Sequence, residues 1–354
     1  MENLIDRFGE GPVLFVAALL IGLIFGAAAQ HSRFCLRAAT IELSQQSLGP
    51  RMAVWFLAFN AAFLSVQALI ALGYLDVSSS RQIAATGSLS GAIIGGLMFG
   101  VGMILARGCA SRLLVLSATG NLRAIVTGLI LTLAAQASLR GFLSPAREYL
   151  ASLWQISGGA PRDLTSQIGL SSSTLAGVAA LALVFSIFLA VHRSIRPSRI
   201  AAAIIVGLAV GGGWWATYLV ASHSFEVVAV SSVTFTGPST DTLMGLINER
   251  GLPLEFGSGL VPGVFIGAGL MALATKEAQL QRFGPDTPME SYLLGGVLMG
   301  FGSMLAGGCA VGAGMSGGAI FALTAWLALF CMWIGAVTTH LLVNRRTPAV
   351  PGTA

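Results

Sequence analysis

The apolar positions of this chain neither alternate nor fall into one-sided stripes. They run in blocks of about 20 residues, the length that carries a helix across a bilayer. Such blocks occur at 12–30, 51–75, 88–107, 121–143, 173–191, 199–221, 255–275, 289–308 and 319–343. Between them lie two long polar connections, 144–172 and 222–254, rich in Ser, Thr, Gly and Pro. They are too polar to cross lipid, although short pieces of them can re-enter. The pattern predicts an all-α polytopic membrane protein, a single transmembrane domain over 1–354 with nine transmembrane helices.

Composition agrees with the pattern. Of 354 residues 55% are hydrophobic and 9% charged, and the mean hydropathy is +0.83. An average soluble domain carries about 25% charged residues. The formal net charge of +5 does not point to nucleic acid, because the nineteen basic residues are scattered over short loops rather than gathered in a patch. They read as topology signals. With nine spans the termini lie on opposite faces. Placing the N-terminus outside puts thirteen of the nineteen on the cytoplasmic side, Arg345 and Arg346 among them. Ten of the fourteen acidic residues, Glu2 included, then fall on the other face. The expected topology is N-terminus out, C-terminus in. The N-terminal "MENLIDRFGEGP" is net acidic and lacks a positive n-region, so no cleaved signal is expected.

The segment 95–110, "GGLMFGVGMILARGCA", aligns without a gap to 295–310, "GGVLMGFGSMLAGGCA", with nine identities in sixteen positions. The first copy closes the third span and the second closes the eighth. Five spans apart, they cross in opposite directions, so the repeat is inverted. "IGLIFG" at 21–26 aligns with "VGLAVG" at 206–211, as that scheme requires of spans one and six. Repeat one then covers 12–143, the span 173–191 is an unpaired connector, and repeat two covers 199–343. Inverted repeats of this kind place a transporter's site near the midplane, at broken helices. Breaks are predicted where the copies end. After Cys309 the stretch "AVGAGMSGGAIF" is too rich in glycine for continuous α-helix, and after Cys109 "ASRLLVLSATGN" is long enough only for a half-helix. Irregular backbone at membrane depth survives only when buried in protein or lining a cavity.

The four cysteines, at 35, 109, 309 and 331, contain no CxxC pair and no His/Cys cluster, so neither a disulfide framework nor a metal site is indicated. Cys331, inside "LALFCMWIGAV", reads as a small buried hydrophobe. Cys109 and Cys309 stand at related positions of the repeat and are predicted to face a cavity. Cys35 has no cysteine at the position of span six that aligns with it, near Val220. An unperturbed thiol, with a pKa near 8.5, is mostly protonated at neutral pH. It offers a weak S–H donor to a soft anionic sulfur, and several such donors used in turn keep affinity low enough for release.

These residues resemble the YeeE/YedE sulfur-transport family of bacterial inner-membrane proteins. The resemblance rests on "RFC" at 33–35, "RGCASR" at 107–112, "GGCAVGAG" at 307–314, "GGGWW" at 211–215 and "SSVTFTGP" at 231–238, and covers nearly the whole chain. It implies an importer of thiosulfate or a closely related sulfur anion, with Cys35, Cys109 and Cys309 lining a central constriction and touching the terminal sulfur in turn. It also implies a multi-pass protein of the bacterial inner membrane, with a periplasmic N-terminus. The first copy departs from the family's GGC form by carrying Arg107 and Arg112 where the second has Gly307 and Gly312.

Around these thiols, Gly108 and Gly308 let backbone N–H groups approach the oxyanion end of a substrate. Arg107, Arg112 and Arg33 are either plain topology signals or planar donors to its oxygens in a wet vestibule. His31, His192, His223 and His340 sit at span ends and form no ligand set. Trp214 and Trp215 either line the path or anchor at the interface, and Ser231, Ser232, Thr234 and Thr236 look like a polar loop that by resemblance belongs to a re-entrant segment. No GxxxxGK[ST] motif is present, no cofactor is expected, and no carboxylate relay lies in the spans. The expected function is transport rather than catalysis. Its alternatives are a permease for another sulfur or selenium species, a sulfite exporter, or a membrane thiol enzyme passing sulfane sulfur. The expected partners are the small sulfur anion and the lipid bilayer, with a small cytoplasmic sulfur-carrier protein as a further candidate and no nucleic acid.

Overall fold

The computed structural model describes residues 2–284 and 288–346, with side chains at 5–284 and 288–343. The side chains of Glu2, Arg345 and Arg346, counted above for topology, lie outside that set. Nine helices among the described residues are long and apolar enough to cross a membrane. They are α1 (Glu10–Ser32), α3 (Pro50–Ala71), α4 (Leu89–Leu105), α6 (Leu122–Arg140), α7 (Ser172–His192), α8 (Pro197–Ala221), α10 (Phe256–Ala274), α11 (Met289–Ala306) and α12 (Leu323–Arg346). Three shorter α-helices, α2 (Leu36–Ser44), α5 (Ala110–Ala118) and α9 (Thr236–Asn248), follow spans one, three and six, and a π-helix, Ala310–Gly317, follows span eight.

Side-chain caps start several spans: Ser88 Oγ accepts from Gly91 N, Asn121 Oδ1 from Ala124 N, and Ser171 Oγ from Thr174 N. Two boundaries differ from the hydropathy blocks. Span two stops at Ala71 rather than 75, because Gly73 turns the chain at φ 76°. The last span starts at Leu323 rather than 319, because Phe321 sits in the left-handed region at φ 60° and residues 319–322 finish the preceding turn. Neither change is visible in hydrophobicity alone.

Packing is built on small residues, as expected where lipid is as apolar as leucine and close contact must supply the attraction. The α1–α10 pair is the most extensive, and α3–α8, α4–α11, α4–α12, α6–α11, α3–α7 and α1–α8 follow. At the α4–α11 crossing the contact is reciprocal. A Cβ added at Gly95 would lie 2.5 Å from Gly302 O, and one at Gly302 would lie 2.7 Å from Gly95 O. Gly102 and Gly295 face each other in the same way, at 2.6 and 2.7 Å. The core formed around these crossings includes Phe25, Phe99, Trp214, Phe235 and Met299, all fully buried, while α7 turns Leu181, Val184 and Phe188 outward.

The connections are less irregular than their composition suggests. Residues 144–172 hold helices Ser144–Ser152 and Leu164–Ile168, and a strand, Gln155–Ile156, that pairs antiparallel with Gly87–Ser88. Residues 231–235 are without regular structure, as a loop, and Thr236 opens α9; Ser232, Thr236 and Thr240 are buried.

Candidate substrate pathway at three helix breaks

Each of three cysteines stands at the same local device. A spanning helix ends in a residue at positive φ, one residue follows, and the cysteine becomes the N-cap of a short helix. After α1 the turn residue is Arg33 at φ 57°, closed by Phe34 N donating to Ala29 O at 3.1 Å, and Cys35 caps α2. After α4 it is Arg107 at φ 53°, closed by Gly108 N to Met103 O at 3.2 Å, and Cys109 caps α5. After α11 it is Gly307 at φ 81°, closed by Gly308 N to Ser303 O at 2.8 Å, and Cys309 caps the π-helix. These six-to-one closures are Schellman ends, which favour glycine at the left-handed position. The two arginines hold it at a cost of about 1 kcal/mol each. The shared spacing, a turn residue two before each cysteine, is present in the sequence as RFC, RGC and GGC.

A consequence concerns Gly108 and Gly308. Their N–H groups are committed to Met103 O and Ser303 O, so in this structure they are not free donors. The donors left at each break are the first-turn N–H groups of the helix after the cysteine, where the partial positive end of the helix also lies. At the third break Gly312 N already points at Cys309 Sγ, 3.4 Å away.

The breaks meet. Cys109 and Cys309 are buried and Cys35 is half-buried. Cys35 and Cys109 are near enough to influence one another electrostatically, and Cys109 Sγ lies 3.3 Å from Ser111 Oγ. Helix α5 touches the π-helix, so the two Cys-bearing breaks are in contact. On the far side of Cys309, Thr234 Oγ1 lies 3.9 Å from its sulfur. Thr234 is thus a neighbour of the third thiol that the polar-loop reading of 231–236 does not single out. Cys331 is elsewhere: it sits in α12, against α4 at Gly96.

The arginines separate into different roles. Arg112 is within electrostatic range of both Cys35 and Cys109, and its Nη1 donates to Gln30 Oε1 at 3.3 Å. Gln30 Nε2 donates to Glu277 Oε2 at 2.8 Å and Arg33 Nη2 to Glu277 Oε1 at 3.0 Å, so one carboxylate ties α1 to the loop after α10. The Arg33 hydrogen bond, with Gln30 and Arg199 in support, holds Glu277 below its usual carboxylate range against the push of partial burial. Arg107 is exposed and stacks over Tyr292 at 5.9 Å, beside Arg123 at 5.8 Å. The tryptophan pair also divides. Trp214 is buried and its Nε1 donates to Ser316 O of the π-helix at 3.2 Å, whereas Trp215 is 44% exposed on the other side of α8.

Two cavities open beside the third break. One, of about 580 Å³, is lined by Ser232, Thr234, Gly312 and Ser316 and reaches Gly307. The other, of about 250 Å³, shares Arg81, Gln82 and Gly307 with it. The family described as Sulphur transport matches residues 31–338, a stretch that contains all three breaks. The chain belongs to this family. Two relatives are similar over nearly their whole lengths. A thiosulfate transporter of Spirochaeta thermophila is 27% identical over 345 residues, 93% of this chain and 98% of the relative. A thiosulfate transporter of Escherichia coli is 25% identical over 356 residues, 94% and 96% of the two chains. As a member of the sulphur transport family, with nine helices among the described residues able to cross a membrane, this is a multi-pass membrane transport protein.

Proposed function

We propose that the protein imports thiosulfate, or a closely related sulfur-containing anion, across the bacterial inner membrane. The observation that carries this reading is the contiguous series Thr234–Cys309, π-helix–α5 and α5–α1, which brings the three cysteine-bearing breaks together between spans that approach from opposite faces. The kinship with two thiosulfate transporters supports the choice of anion.

A thiosulfate ion presents a polarisable sulfur at one end and oxygens at the other. Protonated thiols donate weakly to the sulfur, and a succession of weak donors lets the anion move on rather than stay. First-turn N–H groups after Cys109 and Cys309, with Arg112 beside the first of them, suit the oxygen end. An oxygen-only anion such as sulfate gains the second set of contacts without the first. The orientation follows the charge of the loops: with the N-terminus outside and the C-terminus inside, an imported anion meets Cys309 first and Cys109 and Cys35 later.

The packing supports one domain built from inverted repeats, 12–143 and 199–343, with 173–191 as connector. Exchanging spans one with six, two with seven, three with eight and four with nine maps the contacts α1–α10 and α4–α12 onto α8–α3 and α11–α6. The reciprocal Gly95–Gly302 and Gly102–Gly295 contacts lie on the axis of that exchange. In it α9 corresponds to α2, and Phe235, the N-cap of α9, takes the place of Cys35.

The test is uptake of labelled thiosulfate by cells lacking other importers. Cys35→Ala, Cys109→Ala and Cys309→Ala lose uptake, while Cys331→Ala stays near wild type. Full uptake in the Cys109 and Cys309 variants would end the thiol path. Persulfide formation on the purified protein without net transport would favour the thiol enzyme instead.

A further inference from the structure

Gln67 is buried in α3, one turn before the helix ends, and is only 1% exposed. Its Nε2 donates to Ala319 O at 2.7 Å. That carbonyl can only accept, so the amide cannot be turned round, and Oε1 is left without a hydrogen-bond partner. A buried acceptor without a donor is costly unless a ligand supplies positive charge. Gln67 lines a cavity of about 320 Å³ whose lining also includes Asp76 and Asp163. We infer that this cavity, between the end of span two and the connection 144–172, is a divalent-cation site of the calcium class, built on Gln67, Asp76 and Asp163.

The charges around this space do not balance. No lysine, arginine or histidine lines it among the described residues, and neither aspartate is ion-paired with one. Arg162 precedes Asp163 in the chain but faces the smaller cavity beside the third break, where it donates to the carbonyls of Arg81 and Ala85 and to Thr324 Oγ1. Asp76 accepts from Ser78 N at 2.8 Å, and Asp163 from Thr165 N at 2.9 Å and Ser166 Oγ at 2.6 Å. A carboxylate has about four lone-pair sites, so both keep acceptor capacity. The donor set is oxygen throughout, with no cysteine in the lining, which selects a hard cation. Two carboxylates match a double positive charge. Ligands drawn from a loop and a helix suit calcium, with its flexible coordination completed by water, better than magnesium, which demands a near-ideal octahedron. Binding there would also brace the third break. Ile320 lines the same cavity, Gln67 holds Ala319 O, and Leu164 N donates to Phe321 O at 3.1 Å. The cation thus ties span two and the connection 144–172 to the turn on which the π-helix with Cys309 ends.

The experiment is equilibrium binding of radiolabelled calcium to the full chain, purified in detergent and stripped with a chelator, together with hydrogen exchange on the same samples. The wild type binds about one calcium ion per chain with Kd about 0.1–1 mM, the range of sites outside the cytosol. Asp76→Asn and Asp163→Asn each weaken binding about tenfold, because affinity follows the ligand charge. Asparagine at 163 still caps helix Leu164–Ile168, so that variant removes charge and leaves the local fold. Asp6→Asn, an exposed acid outside the cavity, binds as the wild type does. Calcium slows amide exchange over 159–166 and 319–322 in the wild type, and this slowing is lost in the two aspartate variants. Absence of saturable binding in the wild type overturns the site, as does unchanged affinity in either aspartate variant. Equal affinity for magnesium, or slowed exchange only outside those two segments, overturns it as well.

Discussion

The close approach of Gly312 to Thr234 offers the sharpest test of the path through the third break. A Cβ added at Gly312 would collide with Thr234 Oγ1 and lie 2.8 Å from Thr234 Cβ, whereas ordinary contact begins at 3.4 Å. The shortfall is about 0.6 Å against Cβ alone, and the π-helix cannot retreat freely because Trp214 is bonded to Ser316 O and Ser316 Oγ to Val233 O. Overpacking of this kind costs about 1–3 kcal/mol. The added methyl also wedges between the two neighbours of Cys309, Thr234 Oγ1 at 3.9 Å and Gly312 N at 3.4 Å. With a factor of ten for every 1.4 kcal/mol, Gly312→Ala is expected to slow uptake by about five- to a hundredfold. The assay is initial uptake rate divided by the amount of protein in the membrane. Thr234→Gly removes the obstructing atoms, so Gly312→Ala with Thr234→Gly recovers much of the loss, a coupling that a double-mutant cycle reads directly. Wild-type uptake in Gly312→Ala at wild-type abundance would refute the reasoning, and so would a double variant no faster than the two losses multiplied.

The turn residues give a paired prediction measured by thermal unfolding in detergent. Gly307→Ala, at φ 81°, costs about 1 kcal/mol, while Arg107→Gly is near neutral because relief of strain is offset by the lost Tyr292 contact and by a freer unfolded chain. Glu277 gives a pH prediction. Its folded pKa is lowered, so its contribution is fully present above the unfolded value of about 4.3 and is lost as pH falls through the folded one. The stability difference between wild type and Glu277→Gln should therefore be flat from pH 7 to 5 and shrink only below that range. A difference that changed between pH 7 and 6 would count against the Glu277 bonds to Arg33 and Gln30 as its source. At the α4–α11 crossing, Gly95→Ala is expected to lower stability by about 1–3 kcal/mol. Gly302→Ala should add little to it, since the first methyl already separates the same backbones. Strict additivity in thermal unfolding would contradict the shared contact.

Hydrophobic run length was sufficient to find all nine spans, because in lipid the backbone must bond within its own helix and a crossing has a set length. The 95–110 and 295–310 copies were equally legible, and with them Cys109 and Cys309 as special positions. Tertiary structure decided what local pattern could not. Thr234 lies 75 positions before Cys309, and its approach depends on Gly312 leaving room. Arg81, from between spans two and three, lines the same cavity as Gly307 and Gly312 of the second break. The amides of Gly108 and Gly308, natural anion donors by sequence, are taken by the closures of their own helices. The sequence by itself determined where the chain crosses and where it breaks. Only the packed structure decided which distant side chains meet at those breaks, because close approach between helices is set by the atoms a glycine omits on one and the atoms its partner supplies.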